Sequence, residues 1–264
     1  MRVPARPATQ RPGLWALIGI VTAVALWELW VRAADVKPFI TIAPSKIAEE
    51  ILDNPSFWIE QTWLTAWHTL VGVGIALVLA ILVGAVLAGS RQLEWASQPL
   101  LVLVMVTPWV AYITSVVNWL GPGTPTILFM VAFVTFPALV FATVQGMRSA
   151  DIAAREVLAS VDAPRTEVFW KLRLPSALPS LFTAARFATG LGLAAAYFSE
   201  GGSVAAGVGL GEVGRRGAQS SSGYEILWAS IVCAALLGVV LLVSVTGLER
   251  RILRWHASQR STAI

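Results

Sequence analysis

The residues able to do chemistry fall in two sets. One is a dense polar stretch holding Arg148, Asp151, Arg155, Glu156, Asp162, Arg165, Glu167, Lys171 and Arg173. Between these charges, Val161, Val168, Phe169 and Leu172 recur at roughly helical spacing, which predicts short amphipathic helices outside any membrane. An amphipathic helix in water needs something to cover its apolar side, so the chemistry of this stretch is recognition of a partner. The second set is sparse: His68, Trp109, Tyr112, Asn118, Tyr197 and Glu200 interrupt otherwise apolar runs. Polar groups in such runs face the interior of a helix bundle. Trp109, Tyr112 and Asn118 are candidates to line a solute path, with aromatic packing as the alternative for Trp109 and Trp119. Tyr197 and Glu200 join them near a span end, where Glu200 either orients a gate or caps a helix. His68 reads as a structural hydrogen-bonding residue rather than a metal or proton site.

Bond-making chemistry finds no support. The chain has no Gly-x-Ser-x-Gly, no His-Glu-x-x-His and no group of histidines with carboxylates. It also lacks the Gly-x-x-x-x-Gly-Lys-Ser/Thr string whose backbone amides cradle nucleotide phosphate. No cofactor is expected in this chain, and any ATP hydrolysis must come from elsewhere. The lone Cys233 excludes an internal disulfide and a cysteine-cluster metal site.

The elements that position these residues are apolar helices. Apolar residues make up 56% of the chain and charged residues 13%, too few charges to cover a water-facing surface. Mean hydropathy is +0.72. A segment in hydrocarbon must satisfy its own backbone hydrogen bonds, so the long uncharged stretches read as helices. Six spans are expected: 14–31, 63–88, 99–119 with Pro108 interrupting it, 126–147 with Pro137 inside, 181–198 and 224–248. A short surface helix is expected from Pro44-Ser45 to Leu52, and Gly72, Gly74 and Gly84 permit close helix contact. Glu94 to Gln98 read as a short loop, Pro175 and Pro179 as the close of the polar stretch, and 201–223 as a Gly/Ser-rich loop facing water. Arg186 either snorkels to the headgroups or pairs within the bundle. Most tryptophans, Trp15, Trp27, Trp30, Trp58, Trp63, Trp228 and Trp255 among them, fall near span ends and fit interfacial belts.

The organisation is thus a tail at 1–13, a transmembrane region at 14–248 containing the polar segment 148–178, and a basic tail at 249–264. Lys and Arg set the orientation. The N-terminal tail carries three, the 148–178 segment five and the C-terminal tail four, so these regions are assigned to the cytoplasmic side of the membrane. The net charge of +4 reflects those segments, and no basic stripe with aromatics suggests nucleic-acid binding.

The stretch from Glu156 to Pro179 resembles the EAA loop of bacterial ABC-importer permeases. Glu156 matches its acidic position, Ala163 the alanine after its glycine, Phe169 a common aromatic, and Leu172, Leu174 and Pro175 its apolar-x-Leu-Pro end. Val157 and Leu158 stand where the family has alanines, and Asp162 where it has glycine. Further likeness to the subfamily handling nitrate, sulfonates, taurine and thiamine-precursor pyrimidines lies in Pro44-Ser45, Ser90-Arg91, Trp119-Leu120-Gly121, Arg186, Glu200-Gly201, the Gly-x-Gly-Leu-Gly run at 207–211 and Glu249-Arg250-Arg251. The resemblance implies an all-α type I permease whose coupling helix enters a groove of a separate ABC ATPase dimer, which binds ATP and Mg. Glu156, Val157, Leu158, Asp162, Ala163, Pro164 and Phe169 form the coupling site it implies. It also implies a second permease copy, identical or paralogous, and an extracytoplasmic solute-binding protein. An ion-coupled secondary transporter is the rival reading. It would need acidic residues in mid-span, and Glu28 and Glu200 lie near span ends.

Overall fold

The computed structural model describes residues 12–203, 209–220 and 223–254. Every element among them is helical. In chain order these are α1 (Pro12–Ala33), α2 (Pro44–Asp53), α3 (Pro55–Gly89), α4 (Arg91–Val106), a 3-10 turn (Trp109–Tyr112), α5 (Ile113–Leu120), α6 (Thr124–Arg148), α7 (Ile152–Ser160), α8 (Arg165–Val168), a π-turn (Phe169–Arg173), α9 (Leu174–Gly202), α10 (Gly209–Gln219) and α11 (Tyr224–Ile252). Five helices are long and apolar enough to cross a membrane, and a sixth crossing arises if α4 and the Trp109–Leu120 segment count as one. That pair is bent by 88°. The bend falls at Thr107-Pro108, where proline supplies no backbone N–H.

The core is the packing of α3, α6 and α9. Glycine decides how close they come. An added Cβ on Gly72 would run into Val131 of α6, and one on Gly84 into Thr143. Gly74 faces open space, so only two of the three expected contact glycines of α3 make contact. Between the helices lie Ala76, Ala80, Ile127, Met130, Val131, Leu139, Val140, Ala188, Ala195 and Ala196. Helix α1 lies at the edge, with most of its apolar side chains exposed and Trp27 packed on Trp228 of α11 at 5.6 Å.

Three boundaries differ from the sequence reading. Glu94–Gln98 is helix, not loop: Ser90 caps α4 by accepting the Leu93 N–H at 3.4 Å. Pro175 and Pro179 do not close the polar stretch. Pro175 follows directly on the π-turn at the start of α9, and Pro179 lies within the helix. With α8 and the π-turn, α9 forms one 38-residue helical run from Arg165 to Gly202. The third difference is the largest. Within 201–223, the described residues do not form a water-facing loop. They form α10, whose Gly209, Leu210, Gly211, Glu212, Val213, Gly214 and Gly217 are buried against α3, α9 and α11. Absence of side chains lets this short helix press into the bundle: an added Cβ on Gly211 would overlap the Tyr197 carbonyl oxygen. Trp58 likewise leaves the belt, being buried with its indole N–H donating to the Glu50 carbonyl at 3.2 Å. Trp255 and the tail beyond it lie outside the described residues.

Candidate functional site

The chemistry-bearing residues gather at opposite ends of the bundle. At one end, α6 hands over to the polar segment. Asp151 caps α7 by accepting the Ala153 N–H at 2.9 Å. Glu156 and Val157 are exposed on α7, and Leu158 is half-buried. Ile152 and Val157 on α7 and Val161 just after it are exposed apolar side chains. The turn after α7 places Asp162 at φ +49°, in the left-handed region, at the position of the family's glycine. Asparagine and aspartate tolerate that region better than other side chains. Pro164 is exposed and Ala163 half-buried. Phe169 instead packs onto the bundle's own end, against a cluster of Ala142, Met147, Ala177 and Leu181. An ion pair between Arg148, the last residue of α6, and Glu94, in the first turn of α4, braces this end. Arg186 of α9 pairs with Glu249 of α11 at 3.2 Å, the intrabundle option of the two weighed for it.

At the far end a buried polar clamp holds α10. Glu200 has no exposed surface. Its carboxylate accepts the Thr65 hydroxyl at 2.9 Å and the Gly211 N–H at 2.9 Å, and Nδ1 of His68 lies 2.8 Å from its other oxygen. The Thr65 hydroxyl oxygen in turn accepts the Leu210 N–H at 2.9 Å. Gly209, at φ +78°, brings the chain against the carboxylate where any Cβ would overlap it. Buried polar groups are costly unless paired, so this set of bonds fixes where α10 sits. Tyr197, one turn earlier, bonds Ser230 of α11 at 2.9 Å. Thr65, His68 and Thr69 recur on one side of α3 at helical spacing. That row of polar residues is the signal that would have joined His68 to Glu200.

Outside the bundle's long helices, Glu212 is 2% exposed and takes both Arg215 (2.7 and 2.8 Å) and Arg216 (2.8 Å). The Arg215 bonds hold its carboxyl below the usual carboxylate range, with Arg216 adding to the effect. Glu50 on α2 goes the other way. Burial raises it, and the charges of Glu225 and Asp53 reinforce that.

The solute-path candidates are divided. Trp109 packs edge-on to Phe198 at 5.9 Å and Tyr112 edge-on to Phe133 at 6.0 Å. Asn118 is exposed on α5. Tyr197 and Glu200 belong to the bonded interior described above. No group of three or more potential metal ligands occurs among the described residues.

A polytopic helix bundle with one broken span, an exposed helical segment between two core helices and a glycine-rich helix folded back into the far end defines a membrane permease subunit. The chain belongs to the family described as binding-protein-dependent transport system inner membrane component, whose model matches residues 56–254. It is 28% identical over 237 residues to the formylaminopyrimidine transport permease protein of Halalkalibacterium halodurans, covering 89% of this chain and 93% of that one. It is 25% identical over 252 residues to the taurine transport system permease protein of Escherichia coli, covering 90% of each. It is 29% identical over 250 residues to the riboflavin transport system permease protein of Chloroflexus aurantiacus, covering 94% of this chain and 92% of that one. It is a multi-pass inner-membrane permease of an ABC importer, and ATPase and binding-protein partners go with that family.

Proposed function

We propose that this chain forms the translocation path for a small solute, a sulfonate, nitrate, a thiamine-precursor pyrimidine or a similar small compound. The solute arrives from an extracytoplasmic binding protein. A separate ATPase dimer, binding ATP and Mg, drives the cycle, and two permease copies enclose the path. Both chain ends and the 148–178 segment face the cytoplasm. The observation that carries this reading is the exposure of the apolar side chains of Ile152 and Val157 on α7 and Val161 just after it, with Glu156 beside Val157. A membrane protein gains nothing from apolar side chains held in water on an ordered helix unless a partner covers them. Glu156 pairs with a basic residue of the ATPase, while Val157, Leu158, Ala163 and Pro164 supply packing and Asp162 the turn. The segment continues directly into α6 and α9, so its displacement moves the core helices. The solutes named for the relatives, formylaminopyrimidine, taurine and riboflavin, support a small organic substrate.

Co-expression with the neighbouring ATPase and binding-protein genes tests this. The expected result is a co-purified ATPase whose hydrolysis is stimulated by loaded binding protein, and loss of that stimulation in E156A. Solute movement by the chain alone on an ion gradient would replace this reading with a secondary transporter.

A further inference from the structure

Where α3 and α6 end and the polar segment begins, Ala88, Arg91, Met147, Arg148, Arg155 and Arg173 line a cavity of about 380 Å³. The volume is within the range of ligand sites. Its four arginines come from four elements: Arg91 opens α4, Arg148 closes α6, Arg155 lies on α7 and Arg173 ends the π-turn. The fold therefore gathers positive charge around one hollow. A single carboxylate answers it, Glu94, which pairs with Arg148 from α4. The other nearby acids are engaged elsewhere: Asp151 caps α7, and Glu167 pairs with Lys171. Glu156 borders a separate hollow on α7. Among the described residues, Arg91, Arg155 and Arg173 have no ion-pair partner. Arg91 lies over the Trp95 ring at 5.5 Å, a contact that holds the guanidinium without neutralising it. Like charges gathered around one cavity repel unless an anion sits among them.

Depth narrows the anion. Helix α3 keeps exposed apolar side chains as far as Val86 and ends at Gly89. Trp95 and Trp170, near the arginines in the chain, are both exposed. Tryptophans of this kind mark the headgroup level. The cavity thus stands where hydrocarbon gives way to water. The oxyanion found all along that level is the phospholipid phosphate, whose oxygens accept guanidinium N–H groups arriving from several directions. Basic pockets between helices at this depth suit the headgroups of anionic lipids.

We infer that this cavity binds the phosphate headgroup of an anionic phospholipid. Arg91, Arg155 and Arg173 take its oxygens, while Arg148 stays with Glu94. Three free charges accommodate the two phosphates of a cardiolipin or the single phosphate of a phosphatidylglycerol. A choline headgroup brings its own cation into the same hollow and is disfavoured. Because Arg91 belongs to α4 and Arg155 to α7, the lipid ties the polar segment to the bundle. The site needs neither the transport reading nor a particular orientation in the membrane.

The full-length chain in phosphatidylcholine nanodiscs, doped in turn with phosphatidylglycerol and cardiolipin, tests this by native mass spectrometry of the retained lipid. Anionic lipid is expected to be retained over phosphatidylcholine. R91Q and R155Q each weaken that retention roughly tenfold, the worth of one charge-assisted hydrogen bond. R91K and R155K, which keep the charge, retain most of it. R250Q removes an exposed arginine at the end of α11, outside the cavity, and changes retention less than twofold. Arg91 and Arg155 are exposed, so their variants keep the fold, and melting temperatures check that. Equal retention of anionic lipid and phosphatidylcholine overturns the inference. So does a loss in R250Q as large as in R91Q, which would show only the general attraction of a basic surface. If no lipid is selected, yet R91Q and R155Q lower ATPase recovery in co-purification, the arginines belong to a protein interface and the inference fails.

Discussion

The backbone N–H of Gly211 donates to the Glu200 carboxylate at 2.9 Å, inside the protein, across a stretch where the chain leaves α9 and returns as α10. One carboxylate on α9 thereby collects Gly211 from α10 and Thr65 and His68 from α3. Replacing it by alanine strands three buried polar groups. E200A is expected to cost on the order of 3 kcal/mol, read as a lower melting temperature of the purified protein. E200Q keeps the shape and recovers part of the loss. An E200A protein as stable as the native one would show that α10 is held by packing alone.

Two glycines of α3, two residues apart, make a sharper test of packing. Gly72 abuts Val131, while Gly74 meets nothing within 4 Å. G72A is therefore expected to destabilise by about 1–3 kcal/mol through overpacking. G74A leaves stability unchanged or raises it by about 0.5 kcal/mol. Thermal unfolding of the two variants side by side checks the order, and equal effects would refute the register of α3 on α6.

The long helices were legible because hydrocarbon permits little else: an uncharged apolar run has to be a helix. The polar segment was legible through the spacing from Glu156 to Leu174-Pro175. What was hidden depended on contacts between distant residues. The Gly- and Ser-rich stretch at 201–223 has the composition of a loop, yet Gly211 lies against the Tyr197 backbone carbonyl, Gly209 against the Glu200 carboxylate and Gly214 against the Tyr197 and Ser230 hydroxyls, so the glycines serve burial rather than flexibility. Glu200 read as either a gate-orienting residue or a helix cap because nothing local reveals that Thr65 and His68, more than 130 residues earlier, close around it. Pro179 looked like a terminator, but α9 runs through it.

Asp162 sits at φ +49° in the turn after α7. Glycine enters that region without a Cβ penalty. D162G is expected to fold and assemble with the ATPase as the native chain does. D162V meets a cost of about 1–2 kcal/mol for a side chain in left-handed geometry, and should lower ATPase recovery in co-purification. Equal recovery of both variants would mean that the turn does not set the pose of α7.

Glu94 and Arg148 join the start of the broken span to the last residue of α6, just ahead of α7. E94R and R148E each place like charges together and should lower stability. Exchanging both charges should restore about 1 kcal/mol relative to the sum of the single changes. Uptake into proteoliposomes is the functional counterpart. If the double exchange is no better than the worse single variant, the pair does not link α4 to α6.

Glu212 gives a signed dependence on pH. Its carboxyl is held low chiefly by Arg215, so the folded state favours the ionised form. The resulting stability is complete above the ordinary glutamate value of about 4.3. It disappears as pH falls through the lowered folded value, because the unfolded chain takes up the proton first. Glu50 contributes with the opposite sign: its carboxyl is raised by burial, so its penalty is relieved on acidification. The comparison must therefore be between the native chain and E212Q, which share Glu50. Melting temperatures measured from pH 6 downward should fall more steeply for the native chain, and the two curves should converge at the acid end. Parallel curves over the whole range would mean that the Arg215 and Arg216 contacts are not kept in the membrane.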